Sequence, residues 1–206
     1  SAFLGRALLA PKRVRFVTTL HGTDMTVVGI NSSYWGITRF AITESDGVTA
    51  ISRDLQQRTL QEFELQKNIE VIHNFVNCDK YCRRPNEDYR HEFAPEGERI
   101  LVHLSNFRPV KRVTDVVEIF ARVRQQIPSK LLLIGDGPQT AEAFALAKSL
   151  HIADDVRFLG NRDDVDEILC AADAFLLPSN YEAFGLAAME AMACGVPVVA
   201  SRVGGV

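Results

Sequence analysis

The chain lacks several features that would have settled its class early. It has no run of about 18 apolar residues able to cross a bilayer as a helix, and no signal-peptide pattern opens it. Its four cysteines, Cys78, Cys82, Cys170 and Cys194, form no Cys-x-x-Cys pair, and two of them sit inside apolar segments. That usage suits a reducing compartment better than a disulfide framework, so a cytoplasmic protein is expected. A net charge of −3 is far from the basic balance that nucleic-acid binding wants, and no nucleic-acid partner is expected. There are no tandem repeats and no low-complexity tracts. There is also no initiator methionine. The chain starts in what reads as the middle of a helix, "SAFLGRALLA", and stops in the loop "SRVGGV", so a fragment of a longer protein is expected.

What is present is ordinary globular material: 206 residues, 47% hydrophobic and 24% charged, enough for one large or two small domains. Short β-branched runs alternate with longer amphipathic ones. Strands are expected at Val14–Thr19, Gly47–Ser52, Glu70–His73, Ile100–Leu104, Lys130–Ile134, Val156–Leu159, Ala174–Leu177 and Val196–Ala200. Helix-period segments lie between most of them, at Tyr34–Ser45, Asp54–Phe63, Val113–Gln126, Gln139–Leu150, Val165–Ala171 and Gly185–Cys194. Strands alternating with helices predict an α/β protein with parallel sheets covered on both faces. The stretch from Cys78 to Glu98 is charged, holds two prolines and lacks apolar periodicity, and so reads as a connection between domains. The expected division is 1–77, a connection over 78–97, and a more complete unit over 98–206.

In open α/β sheets, ligands bind beyond the carboxyl ends of the strands. The polar residues there are "HGTD" with His21 and Asp24, "SNFRPVK" with Arg108 and Lys111, "GDGP", and "PSNYEAFG". Arg108 and Lys111 precede a long helix, where positive charge opposes the helix dipole; a solvated helix start is the plain alternative to a phosphate contact. "GDGP" is also what any strand-to-helix turn would use. The stretch "SNYEAFGLAAMEAMACG" is more specific. Phe184-Gly185 opens a helix whose first N–H groups are unpaired and can hold an anion. Glu182 precedes that terminus, and Glu190 sits over one turn into the helix among Ala188, Met189, Ala191 and Met192. Two carboxylates so placed can accept vicinal hydroxyls on either side of a bound anion. The plain reading, one N-terminal acid and one surface acid, fits Glu190 poorly.

Other candidates carry less. Asp164 and Asp166 have the spacing of a divalent-metal site, but they fall in "NRDDVDE", where acids favour a helix start. Cys78, Cys82 and His91 lack a fourth zinc ligand. His73, His103 and His151 lie in or near apolar elements and read as structural.

"EAFGLAAMEAMACGVPVVAS" resembles the Glu-x7-Glu signature of the family 4 retaining glycosyltransferases. "FLLPSNYEAFG", "LLLIGDGP" and "VRFLGNRDDV" fit too, and in the family's order. The resemblance implies the GT-B fold, two Rossmann-like domains, here with the N-terminal domain incomplete and the C-terminal domain lacking its last elements. "TTLHGTD", "RFAITESDGVTAIS", "EVIHNFVN" and "LVHLSNFRPVKRV" are similar to the branch of the family that serves bacillithiol biosynthesis in bacteria. That branch implies transfer of N-acetylglucosamine from UDP-N-acetylglucosamine to the hydroxyl of L-malate, with retention, without a metal and without a cofactor. By position, Glu190 would bind the donor ribose, Glu182 the sugar hydroxyls, and the backbone N–H groups of Phe184, Gly185 and Leu186 the distal phosphate. Lys111 matches the lysine that stabilises the leaving diphosphate. His21 matches the histidine near the reacting sugar, and Thr23 joins it on the acceptor side. Many relatives place an arginine five residues before that lysine; here Asn106 stands there, and either Asn106 or Arg108 takes the role. The family's glycine-rich N-terminal loop is not in the sequence, so this chain alone is expected to bind donor weakly and turn over little. The alternatives are a family 4 enzyme with another sugar donor or a lipid or cell-wall glycan acceptor, and a nucleotide-sugar-binding module without catalysis. A homo-oligomer is left open.

Overall fold

The structure, a computed structural model, describes residues 15–22 and 32–206. The expected N-terminal helix, Thr23 and Asp24 lie outside the described residues. The chain divides into two compact units, one running to Asn74 and one beginning at Phe75.

The first unit carries β1 (Val17–Leu20), a 3-10 turn at Ser32–Tyr34, α1 (Trp35–Glu44), β2 (Gly47–Ala50), α2 (Arg53–Glu62) and β3 (Glu70–Val71). The strands form a parallel sheet in the order β1-β2-β3, with Thr18 opposite Val48 and Thr49 opposite Glu70. α2 starts where Ser52 turns its hydroxyl to accept from Leu55 N–H at 3.2 Å, a side-chain N-cap with Asp54 in the first turn. Leu55, Phe63, Ile69 and Ile42 bury against the sheet and one another's elements.

The second unit adds α3 (Glu87–Phe93), β4 (Arg99–Leu104), α4 (Val113–Arg124), β5 (Ser129–Ile134), α5 (Thr140–Ser149), β6 (Val156–Gly160), α6 (Val165–Ala171), β7 (Ala174–Leu177), α7 (Leu186–Ala193) and β8 (Val198–Ala200). Its five strands are all parallel, in the order β6-β5-β4-β7-β8. Winding therefore proceeds outward from β4 to β6, then returns to β7 and continues the other way. This is a doubly wound sheet with its switch point between β4 and β7.

Near-continuous apolar strands such as "RILVHL" and "SKLLLI" suit such a sheet, because both faces are covered. Ile100, Val102, Leu132, Ile134, Phe175 and Leu177 pack under Phe93, Ile168, Leu169, Ala188 and Ala191. Leu101, Leu131, Leu133 and Leu176 pack under Val113, Val116, Val117, Phe120, Ala143 and Ala147 on the other face.

The stretch read as an aperiodic connection contains a helix, α3. Asn86 caps it, its side chain accepting from Tyr89 N–H at 3.2 Å, and Phe93 is fully buried. The helix is held by charge rather than by a broad apolar stripe. Arg90 donates to the Ala171 carbonyl at 2.9 Å and to Asp173 at 3.0 Å. Tyr89 donates to Asp164.

Candidate active site

The loops after β4 and β7 flank the switch point, and they carry most of the expected site residues. After β4 the chain passes Asn106 and Arg108, both exposed, into a 3-10 turn at Pro109–Lys111. Arg112 follows in the left-handed region at φ 53 and opens α4 without a side-chain cap. This sharp corner aims Lys111 back over the sheet end. After β7, Asn180 N–H donates to the Val110 carbonyl at 2.8 Å, and Arg112 donates to the Asn180 side chain at 3.3 Å. The two loops are thus tied together.

At their junction Lys111 Nζ donates to Glu182 Oε1 at 2.7 Å. Ser179 Oγ donates to the same oxygen at 2.7 Å. Glu182 is only 7% exposed, so its charge is tolerated because a cation and a hydroxyl compensate it. Two residues 71 positions apart are held in one contact. Ser179, itself buried, was not singled out in the sequence; a serine three residues before a glutamate in a loop gives no periodic signal.

Three residues beyond Glu182, Gly185 starts α7. Its φ of +83 is left-handed, a conformation that costs an L side chain roughly 1–2 kcal/mol. An added Cβ would also meet Val206 at 3.2 Å. Glycine is needed here for backbone shape. The helix has no side-chain cap, and a helix start of this kind is where an anion can bind. The loop after β8 lies over this turn: a Cβ at Gly204, φ +57, would fall 2.0 Å from the Glu182 carbonyl.

Glu190 is half-buried on α7. The Tyr81 hydroxyl and Lys80 lie close enough to act on its charge. Burial pushes the carboxyl up from its ordinary range, while Tyr81 and Lys80 pull it the other way. The Tyr81 phenol is pushed up to about 12 by its own burial and by the Glu190 charge. Glu190 therefore does not face open solvent, and Tyr81 was not foreseen as its partner.

A cleft of about 430 Å³ opens beyond the ends of β4, β5 and β6, lined by Ser105, Asn106, Gly135, Asp136, Asn161 and Arg162 among others. The "GDGP" turn shapes it by close packing. A Cβ at Gly135 would sit 1.9 Å from the Ser105 carbonyl, and one at Gly137 would sit 2.0 Å from the Asn106 carbonyl.

Asp164 and Asp166 do not point together. Asp164 pairs with Arg162 at 2.6 Å and accepts from Tyr89, contacts that hold it well below the usual carboxylate range. Asp166 pairs with Arg84 at 2.8 Å and with Lys80 at 3.7 Å. Both carboxylates serve to fix the 78–93 stretch. His21 is exposed just after β1 in the first unit, and Thr23 lies outside the described residues.

A doubly wound parallel sheet with a paired Lys and Glu and an uncapped helix start at its switch point defines a Rossmann-like domain of the GT-B type. Comparison with known proteins agrees. The model of the glycosyl transferases group 1 family matches residues 86–206, and the chain belongs to that family; residues 1–80 match the Glycosyltransferase Family 4 model. The chain is 45% identical over all 206 of its residues to the N-acetyl-alpha-D-glucosaminyl L-malate synthase of Bacillus anthracis, covering 54% of that protein. It is 34% identical over 149 residues to the D-inositol 3-phosphate glycosyltransferase of Mycolicibacterium smegmatis, covering 68% of this chain and 33% of that protein. The solved structure of Anabaena HepE in complex with UDP-glucose superposes with a TM-score of 0.85 at 25% identity, covering 98% of this chain and 57% of that one. The chain spans about half the length of the first of these curated relatives.

Proposed function

We propose that the protein transfers N-acetylglucosamine from UDP-N-acetylglucosamine to the hydroxyl of L-malate, with retention and without a metal. The observation that carries the donor half is the Lys111–Glu182 contact at 2.7 Å beside the uncapped start of α7. A sugar and the diphosphate it leaves are adjacent groups, and here the acceptor for sugar hydroxyls and the cation for the phosphate are adjacent too. The malate half rests on the 45% identity to the malate synthase.

In this reading the uracil occupies the cleft beyond β4, β5 and β6, and Glu190 accepts from the ribose hydroxyls. The distal phosphate sits on the N–H groups of Phe184, Gly185 and Leu186. Lys111, with Arg108 or Asn106, neutralises the charge that builds on the diphosphate as the glycosidic bond breaks. Preorganised cations and a helix terminus do the work that a divalent ion does elsewhere. Glu182 holds the sugar so that the malate hydroxyl attacks the anomeric carbon on the face the diphosphate leaves, and configuration is retained. By resemblance His21 is assigned to the reacting sugar.

The test is UDP release from UDP-N-acetylglucosamine, UDP-glucose and UDP-galactose, with and without L-malate. Malate-stimulated release from UDP-N-acetylglucosamine is expected. Stimulation by another acceptor instead would end the malate assignment. Preference for UDP-glucose, the ligand named in the HepE complex, would move the donor.

A further inference from the structure

His103 is the one fully buried histidine among the described residues. It lies on β4, at the point where the ladder to β7 ends: the β4–β7 register runs Leu101 to Ala174 and Val102 to Phe175 and goes no further. Past that pair no further ladder pairing joins the two strands. There the His103 side chain takes over. Nδ1 lies 2.8 Å from the Leu176 carbonyl, and Nε2 lies 2.8 Å from Ser105 Oγ. Ser105 Oγ also accepts from Phe107 N–H at 3.2 Å.

The direction of every bond in this chain follows from chemistry. A carbonyl only accepts, so Nδ1 carries the proton. Burial keeps the ring neutral, with its pKa pushed down to about 4, so Nε2 bears a lone pair. Nε2 therefore accepts from the Ser105 hydroxyl, and the Ser105 oxygen is left to accept from Phe107 N–H. The imidazole acts as a relay of hydrogen-bond polarity from β7 to the loop.

That loop needs holding. Phe107 has φ +39, a left-handed conformation that a bulky residue adopts at a cost. Its ring is fully buried and stacks on His103 at 6.1 Å, while Phe175 stacks on His103 at 6.5 Å. Asn106 and Arg108 flank Phe107 and both are exposed. Lys111, three residues on, and its partner Glu182 lie close enough for their charges to act on the ring. An apolar residue would fill this place in the sheet without needing two polar partners.

We propose that His103 is a positioning residue: through Ser105 it locks residues 105–108 into the loop, left-handed at Phe107, that presents Asn106 and Arg108 to the donor's diphosphate. The role extends the donor reading above and rests on it.

Calorimetric titration of the 206-residue chain with UDP, combined with amide hydrogen exchange at Phe107, tests this on wild type, His103→Leu, Ser105→Ala and His103→Gln. Leu removes the acceptor and Ala removes the hydroxyl; each is expected to weaken UDP binding about tenfold, the scale of one lost buried hydrogen bond, and to speed exchange at Phe107. Gln can again accept from Ser105, and is expected to recover most of the affinity. A merely structural histidine would not be rescued in this way. If His103→Leu fails to fold, Ser105→Ala and His103→Gln decide. Wild-type affinity in folded Ser105→Ala, or His103→Gln no tighter than His103→Leu, would overturn the role of His103 and leave the donor reading standing. A wild-type chain that binds no UDP even at concentrations high enough to detect weak binding, with Phe107 exchange still responding to Ser105→Ala, would overturn the donor reading and the role together.

Discussion

At the scale of single residues, the site's most buried charge, Glu182, is compensated by a cation and a hydroxyl. Lys111 and Glu182 compensate one another in a largely buried contact, and either becomes a burden if its partner goes. Lys111→Met should destabilise the fold by about 3 kcal/mol, because it strands a buried carboxylate. It should also cut turnover by about a hundredfold or more, the usual cost of losing a preorganised stabiliser of leaving-group charge. Thermal unfolding and initial rates check the two effects separately. Glu190 makes a pH prediction. Burial raises its folded pKa above the ordinary 4.5, so the folded state binds its proton more readily than the unfolded chain does. The ionised carboxylate is then a cost to the fold that appears as pH rises through that raised value. In the proposed reading the ribose hydroxyls donate to the ionised carboxylate, so UDP affinity should fall as pH drops through the raised value. Glu190→Gln should bind UDP more weakly, show a flat profile there, and be no less stable at pH 7. A wild-type profile as flat as that of Glu190→Gln would remove Glu190 from the ribose.

At the scale of elements, the turns decide where these residues go. The "GDGP" turn looked like a generic strand-to-helix connection. In the fold its two glycines are gaps into which the backbone of Ser105 and Asn106 fits. Gly137→Ala should push residues 105–107 away, because its Cβ would fall 2.0 Å from a backbone oxygen with no flexible atom to yield. Loss of UDP affinity together with a lower melting temperature is expected, and an unchanged protein on both measures would contradict the packing described.

Elements also show what the sequence could and could not yield. Strands such as Ile100–Leu104 and Lys130–Ile134 were legible because buried parallel strands are continuous apolar runs. The Phe-Gly helix start was legible because its residue types have few other uses. α3 was missed because its apolar content, Tyr89 and Phe93, is two residues one turn apart, and its hold on the protein comes from Arg90, Arg84 and Tyr89 reaching partners more than 70 positions away. A lone histidine in an apolar strand says nothing about Leu176 until the sheet order places β7 beside β4.

At the scale of the whole molecule, the sheet order β6-β5-β4-β7-β8 explains why the chemistry gathers where it does. Residues from two loops far apart in sequence meet only because winding reverses between β4 and β7. The Glu-x7-Glu stretch then contributes Glu182 just before the α7 start, the helix start itself without a side-chain cap, and Glu190 further along the helix. In the proposed reading these groups take a sugar, a diphosphate and a ribose in order. A crystal structure of the protein with UDP bound tests this most directly. The account predicts the distal phosphate on the N–H groups of Phe184 to Leu186, Lys111 within hydrogen-bond reach of the diphosphate, and the ribose hydroxyls on Glu190. UDP bound elsewhere, or a ribose held by other groups with Glu190 out of reach, would contradict it.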